Sequence, residues 1–500
     1  MHQHHICLEE NGLELWNGTE ALTEMERLEL YTAFNKAQQK LYFSYPFTAD
    51  GEEQSPAPLL GRIGRLFPQV KALDSRGEAA YPPDREGGFR RLVRELALYE
   101  REGIVSDQLP AQRAYFAGDE AYGPRLERVE AAITGGISPA PFGRALAERM
   151  YGAAPNMSAS RLEQFNRCPF AHYLKYGLRA KERPESKEEA ADAGTFLHDA
   201  LDAFLKLVKE KGLSWTALTD EDADTLVDQV MPPLIRTHND GIFLRDVRLR
   251  EALFLRVESV KQCARSIVKQ LRLGSYRPYE TELAFGPDSP FPPLTLHTDD
   301  GRTVQLYGRI DRVDRSPDGF YRVIDYKMGD RKFEPAKIAA GLSLQLPLYL
   351  AAVEGLDGEM GGMYYMPLSL PAPREGEEKS HVLRGVTVGS EAAVSALERG
   401  LDGRSQLVQG LRRNKDGTLN GNVCRPEDMA VLTREAVAVA EQTVAHMGRG
   451  EAAVTPYKDA CKWCLYRSVC RFDRQQKGCY ERDAGKMTIA ELLEIAERLK

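Results

Sequence analysis

Two short runs constrain this chain more than any other feature: Gly308-Arg309-Ile310-Asp311-Arg312-Val313-Asp314 and, shortly after, Val323-Ile324-Asp325-Tyr326-Lys327. Asp318-Gly319 lies between them and is a strong hairpin-turn signal. Together they predict two paired strands that carry Asp311 and Asp325 side by side. Carboxylates on neighbouring strands meet at one point, where they suit a hard divalent cation such as Mg²⁺. Asp325 and Lys327 are two apart, so on a strand both project from one face. A lysine beside a metal-bound carboxylate orients an attacking water or offsets charge building on a phosphate. Asp-x-Lys alone is commonly just a solvated strand face. Here it follows the apolar Val323-Ile324, at the end of a strand whose burial makes charges costly unless they are paired or metal-bound.

The rest of the chain frames this hairpin. At 500 residues it exceeds one ordinary core and predicts two or three domains. Met25 to Gln39 reads as a helix and Leu41 to Tyr45 as an aromatic strand; Asp50 to Pro58 has loop composition. Residues 59 to about 150 read as helical, with Pro82-Pro83 and Gly135-Gly136 as breaks. A new unit opens near Asn156, where Ser158 or Ser160 caps a helix running through Leu162, Phe165 and Tyr173. Ala190 to Val208 is a further helix, and Asp220 to Leu273 holds at least two. The period then changes to strands at Tyr279 to Phe285, Val304 to Val313 and Tyr321 to Tyr326. Pro335 to Val353 reads as a helix kinked at Pro347, and Gly361 to Met366 as a strand. The order is that of an α/β mixed sheet flanked by helices.

No apolar run approaches the roughly 20 residues needed to cross a bilayer, and the N-terminus lacks a signal-peptide pattern, so a cytoplasmic protein with no membrane partner is expected. The net charge of -7 is unusual for a polyanion binder. It decides little, because an acidic metal site and a local basic track can coexist on one chain.

Eight cysteines are too few for a disulfide scaffold in a chain of this length. Four of them, Cys461, Cys464, Cys470 and Cys479, crowd the last forty residues, a distribution that suggests metal. Cys461-x-x-Cys464-x5-Cys470 offers three thiolates, and Cys479 and Cys168 compete as the fourth. Zinc is the alternative to iron and sulfur, although zinc ribbons usually show two Cys-x-x-Cys pairs and only one is present.

Gly-Arg-Ile-Asp, Val-Ile-Asp-Tyr-Lys and Gln345-x-x-x-Tyr349 together resemble the PD-(D/E)XK nucleases of the RecB family. The resemblance implies that fold, with Asp311 and Asp325 as Mg²⁺ ligands and Lys327 as the catalytic lysine. Gln345 and Tyr349, one helical turn apart, would line the DNA side. Gly194-Thr195-Phe196-Leu197-His198 is similar to the family's upstream histidine motif and makes His198 a third ligand. Glu282 stands where the family often has an acid on its first strand and is the weakest candidate of the set.

Ser158-x-Ser160-x-Leu162 leading to Cys168-Pro169-Phe170 resembles the first cluster cysteine of AddB-type nucleases, whose other three share the C-terminal spacing seen here. On that likeness Cys168, Cys461, Cys464 and Cys470 hold a 4Fe–4S cluster that encloses the nuclease domain, while Cys7, Cys263, Cys424 and Cys479 are ordinary. Glu26 to Ala37 resembles the last motif of superfamily 1 helicases, with Lys36 where an arginine normally meets ATP. No Gly-x-x-x-x-Gly-Lys-Ser/Thr loop is present, so ATP hydrolysis by the P-loop route is not expected.

AddB-type proteins are longer and begin with a helicase-like region, so the likeness is to their C-terminal part, as in a fragment, a split gene product or a truncated gene model. The expected organisation is a degenerate helicase-like tail (1–50), a helical connecting region (51–155), the nuclease domain with its cluster (156–480) and a C-terminal helix (481–500). The resemblance implies a Mg²⁺-dependent DNA exonuclease working with an AddA-type helicase–nuclease on a single strand from an unwound duplex, in recombinational repair of double-strand breaks. An inert DNA-binding scaffold and a stand-alone iron–sulfur exonuclease are the alternatives.

Overall fold

The computed structural model describes residues 18–46, 48–49, 52–70, 84–134, 140–152, 157–181, 190–245, 247–289, 291–329, 331–368, 381–470, 472–474 and 479–498. Pro82-Pro83, Gly135-Gly136 and Cys7 lie outside the described residues. Two compact units divide the chain, Met1–Gly88 and Phe89–Lys500.

The first unit carries a helix over Gly18–Lys36, a second over Pro58–Leu66 and a minimal hairpin pairing Thr48–Ala49 with Glu52–Glu53. Leu41 to Tyr45 forms no strand, contrary to the sequence expectation. Among the described residues it joins no sheet, and a strand without neighbouring strands is marginal in water.

The helix Arg85–Glu102 crosses the boundary, and from Phe89 on it packs with helices Leu109–Ala117 and Gly123–Thr134 around a small core of Phe89, Leu92, Leu96, Leu109, Phe116 and Leu126. The large core follows. Its elements are α1 (Ala159–Arg167), α2 (Ala190–Glu210), α3 (Asp220–Thr237), α4 (Val247–Leu273), β1 (Arg277–Phe285), β2 (Gly308–Arg315), β3 (Phe320–Lys327), α5 (Gln345–Ala352), β4 (Glu359–Pro367), β5 (Arg384–Val388), β6 (Val423–Cys424) and α6 (Pro426–Gly448). The six strands form one mixed sheet in chain order. The β3–β4 and β5–β6 pairs are parallel and the other three are antiparallel. The antiparallel β2–β3 pair follows from its short turn, where Gly319 adopts φ +86 and its N–H donates to Ser316 O at 3.1 Å. The parallel β3–β4 pair requires a crossover, which α5 supplies.

Nearly every residue of β3 is buried, so the strand reads apolar rather than alternating. On one face of the sheet the charge that enters this interior is matched. Arg312, Asp314 and Arg322 have no exposed surface, and Arg312 donates to Asp314 through Nε at 2.7 Å and NH2 at 2.6 Å. Arg322 Nε adds a bond to the same carboxylate at 2.9 Å, and its guanidinium lies 4.4 Å from the Tyr276 ring centroid. Alternation along the strands puts this network on the face opposite Asp311 and Asp325.

Three element expectations are corrected. Val304 to Val313 is two strands: Thr303–Leu306 pairs with Leu294–His297 in its own hairpin, and β2 begins at Gly308. Pro335 to Val353 is two helices, Pro335–Ala339 and α5, broken at Gly341 (φ +68) rather than kinked at Pro347. The helix from Ser158 stops at Cys168, whose φ of -164 and ψ of 110 are extended, as the residue before a proline prefers. It resumes over Pro169–His172 and passes into a π-helical turn at Tyr173–Gly177. Ser158 does cap α1, accepting from Arg161 N–H at 3.4 Å.

Candidate active site

The hairpin aligns Arg312 with Ile324, and continuing that register brings Asp311 level with Asp325. Their strands stop exchanging ladder bonds there, and Asp311 Oδ2 instead accepts from the Tyr326 N–H at 2.6 Å. On the other side, Thr281 pairs with Arg312 and Leu283 with Ile310, so Glu282 stands opposite Asp311. Three acids therefore sit at one level across β1, β2 and β3. Glu282 has φ +52, which is costly for a residue with a side chain and is found where surrounding structure enforces it, often at functional sites.

Helix α2 brings His198 to the same point, with Nδ1 3.5 Å from Asp311 Oδ2. One ligand atom each from His198, Glu282 and Asp311 lie within 4.8 Å of one another. Asp325 is fully buried beside them, and its Oδ2 is engaged by Lys327 Nζ in a close ion pair. Its Oδ1 meets no donor among the described residues. A buried carboxylate oxygen without a donor is costly, and a cation would satisfy it.

The electrostatics agree with the geometry. Burial pushes Asp325 up to about 7, with Lys327 opposing the shift and Asp311 adding to it. Burial also raises Glu282, helped by the nearby Asp311. For His198, burial pulls the pKa down, but the bond to Asp311 and the charges of Asp311 and Asp325 outweigh it and leave the group raised. Burial is the main cause for the two carboxyls, with the neighbouring Asp311 adding to it, whereas His198 is raised by the anionic oxygens around it.

Gln345 and Tyr349 lie on the first two turns of α5, with Gln345 Nε2 donating to Tyr349 Oη at 2.9 Å. The Tyr349 ring meets Phe285 edge-on at 5.7 Å. Gly308 explains the first letter of Gly-Arg-Ile-Asp: a Cβ there would lie 2.8 Å from Phe285 Cε1 and 3.1 Å from Tyr349 Cε1. Two residues outside the sequence-derived set belong to this neighbourhood. Arg331 lies over the Tyr365 ring at 4.7 Å, donates to Ser343 Oγ at 3.3 Å and lowers the Asp325 pKa by its charge. Glu163, buried on α1, accepts from the Leu344 and Gln345 N–H groups at 2.8 and 3.1 Å. A glutamate inside the apolar pattern of α1 is the available signal for Glu163; nothing local marks Arg331.

The four selected cysteines come together. Cys168, Cys461, Cys464 and Cys470 line a single cavity of about 200 Å³ with Phe170 and Tyr466. Burial raises Cys461 to about 11, with the proximity of Cys168, Cys464 and Cys470 adding to the shift. Cys479 does not line this cavity, and Cys263 and Cys424 are buried elsewhere. Four convergent sulfurs around a space of this size fit a cluster or a single tetrahedral metal by donor chemistry.

Residues 156–471 match the PD-(D/E)XK nuclease superfamily. The curated relatives carry the name of the B-type component of an ATP-dependent helicase/deoxyribonuclease. That of Desulforamulus reducens is 28% identical over 93% of this chain and 43% of its own length. That of Clostridium tetani is 26% identical over 99% of this chain and 46% of its own. That of Symbiobacterium thermophilum is 31% identical over 93% and 43%. The chain thus spans less than half the length of these relatives. Among the described residues, no helix is long and apolar enough to cross a membrane.

Proposed function

The chain belongs to the PD-(D/E)XK nuclease superfamily, and on that premise we propose that residues 156–480 form a Mg²⁺-dependent deoxyribonuclease, the nuclease module of an AddAB-type helicase–nuclease. The observation that carries this reading is the meeting of Glu282, Asp311 and His198 at one point, with the buried Asp325–Lys327 pair beside it. Asp311, Asp325, His198 and Glu282 would hold the ion, which supplies Lewis acidity toward a phosphate oxygen and a more acidic bound water.

The residues of the chain do the remainder. Lys327 Nζ, already held against Asp325, orients the attacking water and offsets charge growing on the phosphate. Asp311, fixed by the Tyr326 N–H, keeps its carboxylate aimed into the site before substrate arrives. Gln345 and Tyr349, bonded to each other, form a polar edge along which a single DNA strand would lie. The four cysteines are proposed to carry a 4Fe–4S cluster that clamps this domain shut. Residues 1–50 are proposed as a degenerate helicase-like tail, 51–155 as a helical connector and 481–500 as a terminal helix. The relatives' shared name supports DNA as the substrate and a partner subunit; an AddA-type helicase–nuclease as that partner, a single strand from an unwound duplex as substrate, and double-strand break repair in the cytoplasm are part of the proposal.

The test separates chemistry from metal binding. Lys327→Ala should lower Mg²⁺-dependent cleavage of end-labelled single-stranded DNA by about 10²-fold or more, while Mg²⁺ still raises the melting temperature. A variant that cleaves at the wild-type rate would remove Lys327 from the mechanism.

A further inference from the structure

Helix α5 starts at Gln345, and its N-cap residue is Leu344, which has no side-chain oxygen to cap it. Glu163 supplies the missing acceptor from another helix, as its Oε1 takes both the Leu344 and the Gln345 N–H. One turn along α1, on the same face, Asn166 grips the same approach. Its Nδ2 donates to Gly341 O at 3.1 Å, and a Cβ on Gly341 would fall 2.1 Å from that amide nitrogen.

The C-terminal end of α1 belongs to the cysteine cavity. Cys168 is its C-cap, and the backbone leading into Cys461 docks there: Tyr457 N–H donates to Arg167 O at 2.9 Å and Phe170 N–H to Ala453 O at 3.2 Å. One nine-residue helix thus touches both the clamp and the approach to the Gln345–Tyr349 helix. We propose that Glu163 and Asn166 are positioning residues that make α1 a strut, through which the cysteine clamp sets the first turn of α5 and hence the placement of Gln345 and Tyr349.

The catalytic consequence rests on the nuclease reading above; the mechanical consequence does not. The experiment is therefore hydrogen exchange on the full, cluster-loaded chain, comparing wild type, Glu163→Ala and Glu163→Gln. In Glu163→Ala, exchange at Leu344 and Gln345 should quicken about fivefold or more, the size of a lost helix cap. Exchange across residues 455–470 and the visible iron–sulfur absorbance should stay as in the wild type. Glu163→Gln should restore protection, because its amide oxygen still accepts both N–H groups. If the protein cleaves DNA, Glu163→Ala should also raise KM for single strands about fivefold with kcat nearly unchanged. Unchanged exchange at Leu344 and Gln345 in Glu163→Ala would overturn the strut, as would a rise spread evenly over the whole chain. Absence of cleavage by a wild type that shows the expected exchange pattern would count against the nuclease reading alone.

Discussion

Asp325 is fully buried with Lys327 in direct contact and Arg331 acting on it by charge, and that setting makes it useful. Burial holds its carboxyl up near 7, so in the metal-free protein its ionised form is maintained mainly by Lys327. Replacing it with a neutral isostere removes a charge that is costly to bury and also removes a ligand. Asp325→Asn should therefore melt no lower than wild type without metal, yet lose most of the stabilisation that Mg²⁺ gives the wild type. Differential scanning fluorimetry with and without Mg²⁺ reads both effects, and a full Mg²⁺ response in the variant would count against ligation by Asp325. Asp311, Asp325 and Lys327 are legible in the sequence because a charged pair closing an apolar strand has few structural uses. Glu282 ranks low there because its strongest mark is a backbone φ of +52, which no side-chain pattern encodes. Arg331 is invisible because it reaches the site by stacking on Tyr365, a residue of a strand formed later in the chain.

Elements are legible where a local signal sets their ends and illegible where tertiary contacts do. Asp318-Gly319 marks the β2–β3 hairpin correctly, since the turn itself demands a positive φ. Val304 to Val313 looks continuous because nothing in its apolar alternation shows that its first half pairs with Leu294–His297. Gly341, not Pro347, ends the helix before α5, because Asn166 occupies the space that a continuing chain with a side chain would need. At this scale packing is sharp. Gly308→Ala must displace Phe285 and crowds Tyr349, and should cost about 1–3 kcal/mol in urea unfolding. Asp314→Ala should cost more, about 3–5 kcal/mol, because it strips the shared anion from two guanidiniums with no exposed surface. A near-neutral result for Asp314→Ala would mean that the network carries no stability.

For the molecule as a whole, the long-range claim is the clamp. Cys168 and the Cys461–Cys470 stretch flank the whole catalytic sheet in sequence yet line one cavity. Ligation there would close a long loop and restrict the unfolded chain. Cys168→Ala should lose the brown iron–sulfur absorbance and lower the melting temperature, whereas Cys479→Ala should leave both unchanged. Spacing alone leaves Cys168 and Cys479 open as the fourth thiolate, and family likeness favours Cys168. The cavity, which Cys479 does not line, favours it on geometry.

The most direct test of the account is cleavage of single-stranded DNA with Mg²⁺ by wild type and Asp325→Ala, both purified without oxygen and their visible spectra recorded first. The wild type should cleave in a Mg²⁺-dependent way and the variant not at all, with the same iron–sulfur absorbance in both. A folded, brown wild type that leaves DNA intact, even with an AddA-type partner added, would contradict the nuclease reading.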